Sequence, residues 1–256
     1  MAILMLTSTC GSPGVTALAV GLALDWPRSV LLADCDAGAH QAVLAGHLGG
    51  QSPSGKGLLR VAEAHRDGRS LLDVVVDQTL PLGGAAAQRR LFLPGFTKPG
   101  SSALFAGVWP HLLEAFARLD DAGMDVIIDA GRVPAQGLPA PMLEGATLTC
   151  LVLRSNLRSV MSARVHSAQF SEAADAGNAG LILVGEGTPY GRHEIAPALG
   201  LPVIASIPDD PRAALHLSDG GPRPRKFEST ALARALHATA GTLSTRLQRT
   251  VERIKA

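Results

Sequence analysis

The sequence is poor in cysteine. Cys10, Cys35 and Cys150 are the only three, odd in number, widely spaced and without a C-x-x-C pair. That excludes a disulfide scaffold and a cysteine metal centre, and it suits a reducing compartment. An excess of either charge is also missing. Lys plus Arg number 23 and Asp plus Glu 22, so the net charge of +1 gives no global field to steer nucleic acid or an anionic membrane. Any polyanion site has to be local. Long apolar runs are absent as well: the longest, Val15 to Leu24, ends at Asp25, well short of the roughly 20 residues needed to span a bilayer. The apolar stretch Met1 to Leu6 has no basic segment before it and is interrupted by Thr7, Ser8, Thr9 and Gly11. This argues against a signal peptide and against a lipoprotein cysteine at Cys10, so a cytoplasmic protein is expected.

What is present is a chain of 256 residues, 46% hydrophobic, long enough for one large core. Short apolar runs alternate with longer helical patterns, the signature of an α/β protein with a doubly wound, mostly parallel sheet flanked by helices. About seven strands are predicted: Ala2 to Leu6, Val30 to Ala33, Leu91 to Leu93, Val126 to Ile128, Leu148 to Leu153, Leu181 to Val184 and Val203 to Ile207. They lack in-out alternation because parallel strands are covered on both faces. Helices are predicted over Val15 to Leu24, Leu58 to Ala64, Ala103 to Leu119, Val160 to Ala173, Glu194 to Leu199 and Thr230 to Ile254. Gly49 to Gly57 reads as a mobile loop and Ser218 to Pro224 as a turn before the last helix. Neither is long enough to separate domains, so residues 1–256 are read as one domain.

The segment LTSTCGSPGVTALAVGLAL is a strand, a Gly-rich turn and a helix. A helix N-terminus directs unpaired N–H groups and the positive end of its dipole at one spot, which suits a nucleotide phosphate. Gly11 and Gly14 allow close backbone approach, and Thr16 stands where a P-loop hydroxyl would bind Mg²⁺. No G-x-G-x-x-G occurs at this turn, which argues against a dinucleotide site.

This loop resembles the deviant phosphate loop of the ParA/MinD family of P-loop ATPases, K-G-G-x-G-K-[ST]. Gly11, Ser12, Pro13, Gly14, Val15 and Thr16 fall on G-G-x-G-K-T, with Ala17 following. Cys10 then stands at the signature lysine and Val15 at the P-loop lysine, so both cations are missing. The resemblance extends over nearly the whole chain. VLLADCDAGAH is similar to the family's second strand with its D-x-D signature, which implies a role in positioning metal and water for Asp34 and Asp36. MDVIIDAG is similar to the Walker B strand, which places Asp129 near the Mg²⁺ shell. GLILVGEGTPYGRHEIAPALGLPVIASIPDDPRAAL is similar to the family's base-side strands and loop, with Pro208 and Asp209 on the backbone side of the base site. Val184 and Gly185 stand where the family offers Asn to adenine, and Gly131-Arg132 follows Asp129.

Simpler roles stand beside these. Asp34, Asp36 and Asp129 fall at C-terminal strand ends, where carboxylates also cap loops and helices, and Val15 is an ordinary apolar residue for a helix that packs on a sheet. Lys56, Lys98 and Arg132 are the loop cations that could replace a lost lysine, Arg132 being the best placed, and the simpler reading of each is a solvated charge. The histidines, His40 and His47 included, show no ligand spacing, and no G-x-S-x-G elbow supports a Ser-His-Asp site. The last helix is amphipathic: Leu232, Leu236, Leu243, Leu247, Val251 and Ile254 form one face, and Arg246, Arg249, Arg253 and Lys255 lie near its end. No aromatic residue follows Phe227, so packing on the domain or a partner is expected of it rather than lodging in a membrane surface.

The resemblance implies ATP and Mg²⁺ as cofactors, held weakly here, and a homodimer formed across the nucleotide face. It also implies a positioning or adaptor role through protein partners such as secretion or pilus machinery, as in the degenerate TadZ/CpaE-like members, which could recruit the chain to the membrane or pole. Without the lysines, hydrolysis should suffer more than binding. The alternative is an active ATPase that partitions DNA or another cargo, with Asp36 and with Arg132, or a partner, completing catalysis. DNA or a membrane surface could only engage the C-terminal basic cluster.

Overall fold

The computed structural model describes residues 2–10, 13–53, 55–83, 88–98 and 100–255. The strands are β1 (Ile3–Ser8), β2 (Ser29–Asp34), β3 (Leu80–Pro81), β4 (Arg90–Leu93), β5 (Met124–Arg132), β6 (Leu148–Arg154), β7 (Ala179–Val184) and β8 (Val203–Ile207). They form one eight-stranded sheet in the order β3-β4-β2-β5-β1-β6-β7-β8. Every neighbouring pair is parallel except β3 with β4. The expected count of seven thus becomes eight: β3 is two residues long and ends in Pro81, which an edge strand tolerates and a central one does not.

The helices are α1 (Val15–Asp25), α2 (Ala42–Ala45), α3 (Leu58–Arg66), α4 (Leu71–Asp77), α5 (Trp109–Arg118), α6 (Ala140–Gly145), α7 (Leu157–Val165), α8 (Ser171–Asp175), α9 (Arg192–Leu199), α10 (Pro211–Ser218) and α11 (Ala231–Lys255). Two predicted helices are divided. Ala103 to Leu119 is a 3₁₀ turn over Ser101–Phe105 and then α5, whose first turn carries Pro110. Val160 to Ala173 starts earlier, at Leu157, because the Asn156 side chain accepts a hydrogen bond from the Ser159 N–H at 3.0 Å. It ends at Val165, before a second 3₁₀ turn and α8. Ser54, inside the predicted Gly49 to Gly57 loop, lies outside the described residues.

Successive residues of a strand serve opposite faces. Leu4 and Leu6 join a core with α1, α10 and α11, whereas Ile3 and Met5 join the core beneath α3, α4 and α5. Leu151, Leu153, Leu181 and Leu183 pack under α7 and α9 on that second face. The apolar face of α11 (Leu232, Leu236, Leu243, Leu247 and Val251) is buried in the first core, so the last helix packs on the domain as expected. Its basic end is partly committed: Arg246 donates to the Gly177 carbonyl and Arg253 to Ala176 O and Asn178 Oδ1. Among the described residues no helix is long and apolar enough to cross a membrane. At the N-terminal end of the sheet, fully buried Asp125 ties β5 to two other elements by accepting from Trp26 Nε1, Arg28 and Gln248 Nε2.

Candidate functional site

In this order β1 lies between β5 and β6, and the connections from its two sides diverge there, which is where open α/β sheets bind ligands. The loop after β1 enters that crevice. Gly14 has φ +89°, a left-handed conformation that a side chain would strain, and its carbonyl accepts the first helical bond from Leu18 N. Helix α1 starts at Val15 with no side-chain cap and no acidic residue in its first turn, so its positive end is uncompensated from within. Gly11 and Ser12, both expected in the phosphate cradle, lie outside the described residues. Cys10 faces α7, its Sγ 3.8 Å from Arg158 O and 3.9 Å from Ser159 Oγ. Val15 is 6% exposed and belongs to the core around α1, so it is packed rather than poised over the loop.

Asp34, the last residue of β2, pairs in register with Asp129 near the C-terminal end of β5, and both are buried. Asp129 accepts from Gly131 N at 2.9 Å, and the neighbouring Thr16 side chain also favours its charged form. Burial still pushes its carboxyl up from 3.8 to about 6. Asp34 is held well above the usual carboxylate range by burial first and by Asp129 second, although Asp36 N donates to it. Asp36 accepts from Gly38 N at 2.8 Å and pairs with His40 Nδ1 at 2.7 Å. Among the described residues no group of three His, Cys, Asp or Glu side chains forms a metal cage. Mg²⁺ does not need one, because it is usually held by one or two carboxylates together with phosphates and water.

Two glycines fix where these carboxylates lie. A Cβ on Gly95 would come within 2.6 Å of Asp34 Cγ, and one on Gly131, at φ +59°, within 2.2 Å of Asp36 Cγ. Gly131→Ala is therefore expected to displace Asp36 and to lower the unfolding free energy by about 1–3 kcal/mol. A denaturant midpoint equal to that of the wild type would contradict this packing.

The candidate replacement cations separate. Lys56 Nζ donates to Thr79 O at 3.0 Å, beside β3 at the far edge of the sheet, so it does not serve the loop. Lys98 is exposed. Arg132, at the end of β5, is exposed, and no ion pair of it occurs among the described residues. The cation that sequence reading missed is Arg154, at the C-terminal end of β6. It pairs with Asp209 and lines two adjoining cavities. Nothing local marks it, since its partner lies on the loop leaving β8, but an arginine at the end of a strand flanking β1 is a usable signal once the strand order is known.

The first cavity, about 650 Å³, is lined by Arg154, Ser155, Asn156, Val184 to Glu186, Thr188 and Ser206 to Asp209. Glu186, one of its lining residues, accepts from Arg192 and from Ser206 Oγ and is thereby pulled down from 4.5 to about 2. Pro208 and Asp209 line it, and so do Val184 and Gly185, neither of which carries an amide side chain. The second cavity, about 330 Å³, lies between Pro13, Gly14, Ala17 and Leu18 and helices α10 and α11. Two buried hydroxyls near this crevice, Thr9 Oγ1 and Ser155 Oγ, have no hydrogen-bond partner among the described residues. The left-handed Gly14, the uncapped helix start, the Thr16–Asp129 pair and these orphan hydroxyls fit a Mg-nucleotide in shape. They do not fit it in charge, because the two lysine positions hold Cys10 and Val15.

No protein-family model matches the sequence, and no curated protein matches it either. Solved structures do. The MinC:MinD cell division protein complex of Aquifex aeolicus superposes with TM-score 0.72 at 17% identity, covering 96% of each chain. The ParA family ATPase of Chlorobium tepidum TLS does so with TM-score 0.66 at 16% identity, over 93% of this chain and 98% of that one. An ATP complex of Cyanothece McdA gives 0.67 at 17% identity, over 95% and 96%. Identity at this level speaks for architecture alone, and with the sheet order and crevice described above it establishes that the chain has the fold of the ParA/MinD P-loop ATPases.

Proposed function

We propose that this chain is a positioning or adaptor protein of the ParA/MinD type whose phosphate loop holds ATP and Mg²⁺ weakly and hydrolyses ATP slowly or not at all. The observation that carries this reading is Val15, buried in the core at the place of the P-loop lysine. Losing a charged donor removes roughly 1.5–3 kcal/mol of binding per hydrogen bond. Phosphoryl transfer, whose developing charge depends on such groups, suffers further. Thr16 and Asp129 would hold Mg²⁺, and the start of α1 would face the phosphates. The protein works in the cytoplasm through protein partners, such as secretion or pilus machinery, which recruit it to the membrane or pole. That one fold neighbour is a MinC:MinD complex and another an ATP complex supports partners and nucleotide as classes. Purified protein assayed for copurifying nucleotide and for Mg-ATP turnover should show neither at a useful level.

A dimer through the face carrying the β1–α1 loop is part of this proposal, and it should form without ATP. Sizing with and without Mg-ATP tests it: a monomer that dimerises only with ATP would reject this version. Thr16→Ala should then hardly change partner-dependent function. The second reading, an active ATPase moving DNA or another cargo, draws on Arg132, which follows Gly131 beside Asp36 and is exposed, with no ion pair among the described residues. Turnover abolished by Arg132→Ala would favour it.

A further inference from the structure

Helix α7 carries an apolar stripe that the described residues of the domain leave uncovered. Leu157, Met161 and Val165, four residues apart and hence on one face, are 57%, 50% and 80% exposed. They are three of the five large hydrophobic side chains found exposed among the described residues, and here they are contiguous. The buried face of the same helix, Val160 and Ala163, already holds it to the sheet, so the stripe is not needed for folding. A continuous apolar seam of this kind marks an interaction site.

Charge says what covers it. At 100° per residue, Arg158 and Arg164 fall on the two margins of the stripe, both exposed and neither in an ion pair among the described residues. No acidic residue occurs between Arg154 and Ser171. A symmetric contact between two copies of α7 would set arginine against arginine, which disfavours self-docking. Cys10 rests against the first turn of α7, so the stripe starts beside the candidate nucleotide loop.

We infer that the Leu157–Met161–Val165 face of α7 is the docking surface for an acidic amphipathic helix of a partner protein, apolar residues seated on the stripe and carboxylates on Arg158 and Arg164. This names the chemistry of the partner and rests on the adaptor reading for its role. Its test uses no nucleotide, so the two fail separately.

The probes are two synthetic amphipathic helices identical in their leucines, one flanked by glutamate and one by lysine, titrated onto the full chain by fluorescence anisotropy. The glutamate peptide should bind and the lysine peptide should not. Met161→Glu, an exposed change that leaves the denaturant midpoint in place, should weaken binding at least about tenfold. Arg158→Glu with Arg164→Glu should transfer the preference to the lysine peptide. Equal binding of both peptides, or binding indifferent to Met161→Glu, would overturn the inference. So would a dimer that Met161→Glu dissociates, which would make a second copy the occupant, or Met161-dependent adsorption to phosphatidylglycerol vesicles, which would make it a membrane.

Discussion

Replacing Val15 with lysine is expected to tighten Mg-ATP binding roughly 10- to 150-fold, the equivalent of one charge-assisted hydrogen bond of about 1.5–3 kcal/mol. The position is the first of α1, directly after left-handed Gly14. Thr16 lies beside Asp129, and the helix start carries no acidic residue to repel an anion. The valine side chain is buried, so the lysine stem takes its place in the core and the ammonium must emerge over the loop. Val15→Met separates the two effects: it keeps the stem without the charge and should leave ATP affinity unchanged. Isothermal titration of wild type, Val15→Lys and Val15→Met decides it. If lysine and methionine behave alike, the loop is not shaped for phosphate and the resemblance ends at the fold.

How much of this was legible depends on whether the signal was local. The parallel strands were, because unbroken runs such as Val126 to Ile128 admit no other easy reading in a buried sheet. β3 was not, since two residues ending in proline carry no periodicity. Helix α4 (LLDVVVD) was missed because its β-branched run lacks helical spacing, and α10 because Pro211 reads as a loop until it is seen at the first position of a helix capped by Asp210. Thr16, Asp34, Asp36 and Asp129 were legible because each lies at, near or just after the C-terminal end of a strand in a recognisable string. The Arg154–Asp209 pair and the Glu186–Arg192–Ser206 cluster were not. Their members come from separate strands or loops, and only the strand order brings them to one cavity. Lys56 shows the converse: a loop cation by composition, it is spent on the opposite sheet edge.

The buried carboxylates make a prediction about pH that does not depend on nucleotide. Asp129 is raised from 3.8 to about 6 mainly by burial, so the folded protein binds its proton more tightly than the unfolded chain does. The associated stability is fully present below pH 4 and is lost as pH rises through about 6, a change on the order of 3 kcal/mol. Asp34, raised in the same direction, adds to the slope. Glu186, pulled down to about 2, opposes it only under more acidic conditions. Without Mg²⁺, the wild type should therefore be more stable at pH 5 than at pH 7.5. Asp129→Asn keeps an acceptor for Thr16 and Gly131 N but no charge, so it should be more stable than wild type at pH 7.5 and nearly equal at pH 4.5. Mg²⁺ should narrow the gap at pH 7.5 by stabilising the wild type alone, because a cation beside Asp129 offsets the desolvation of its carboxylate. Chemical denaturation of both proteins across this range is the measurement. A wild-type profile flat from pH 4.5 to 7.5, together with no gain from Asp129→Asn, would mean that the Asp129 carboxylate is not strained and that no metal is needed to relieve it.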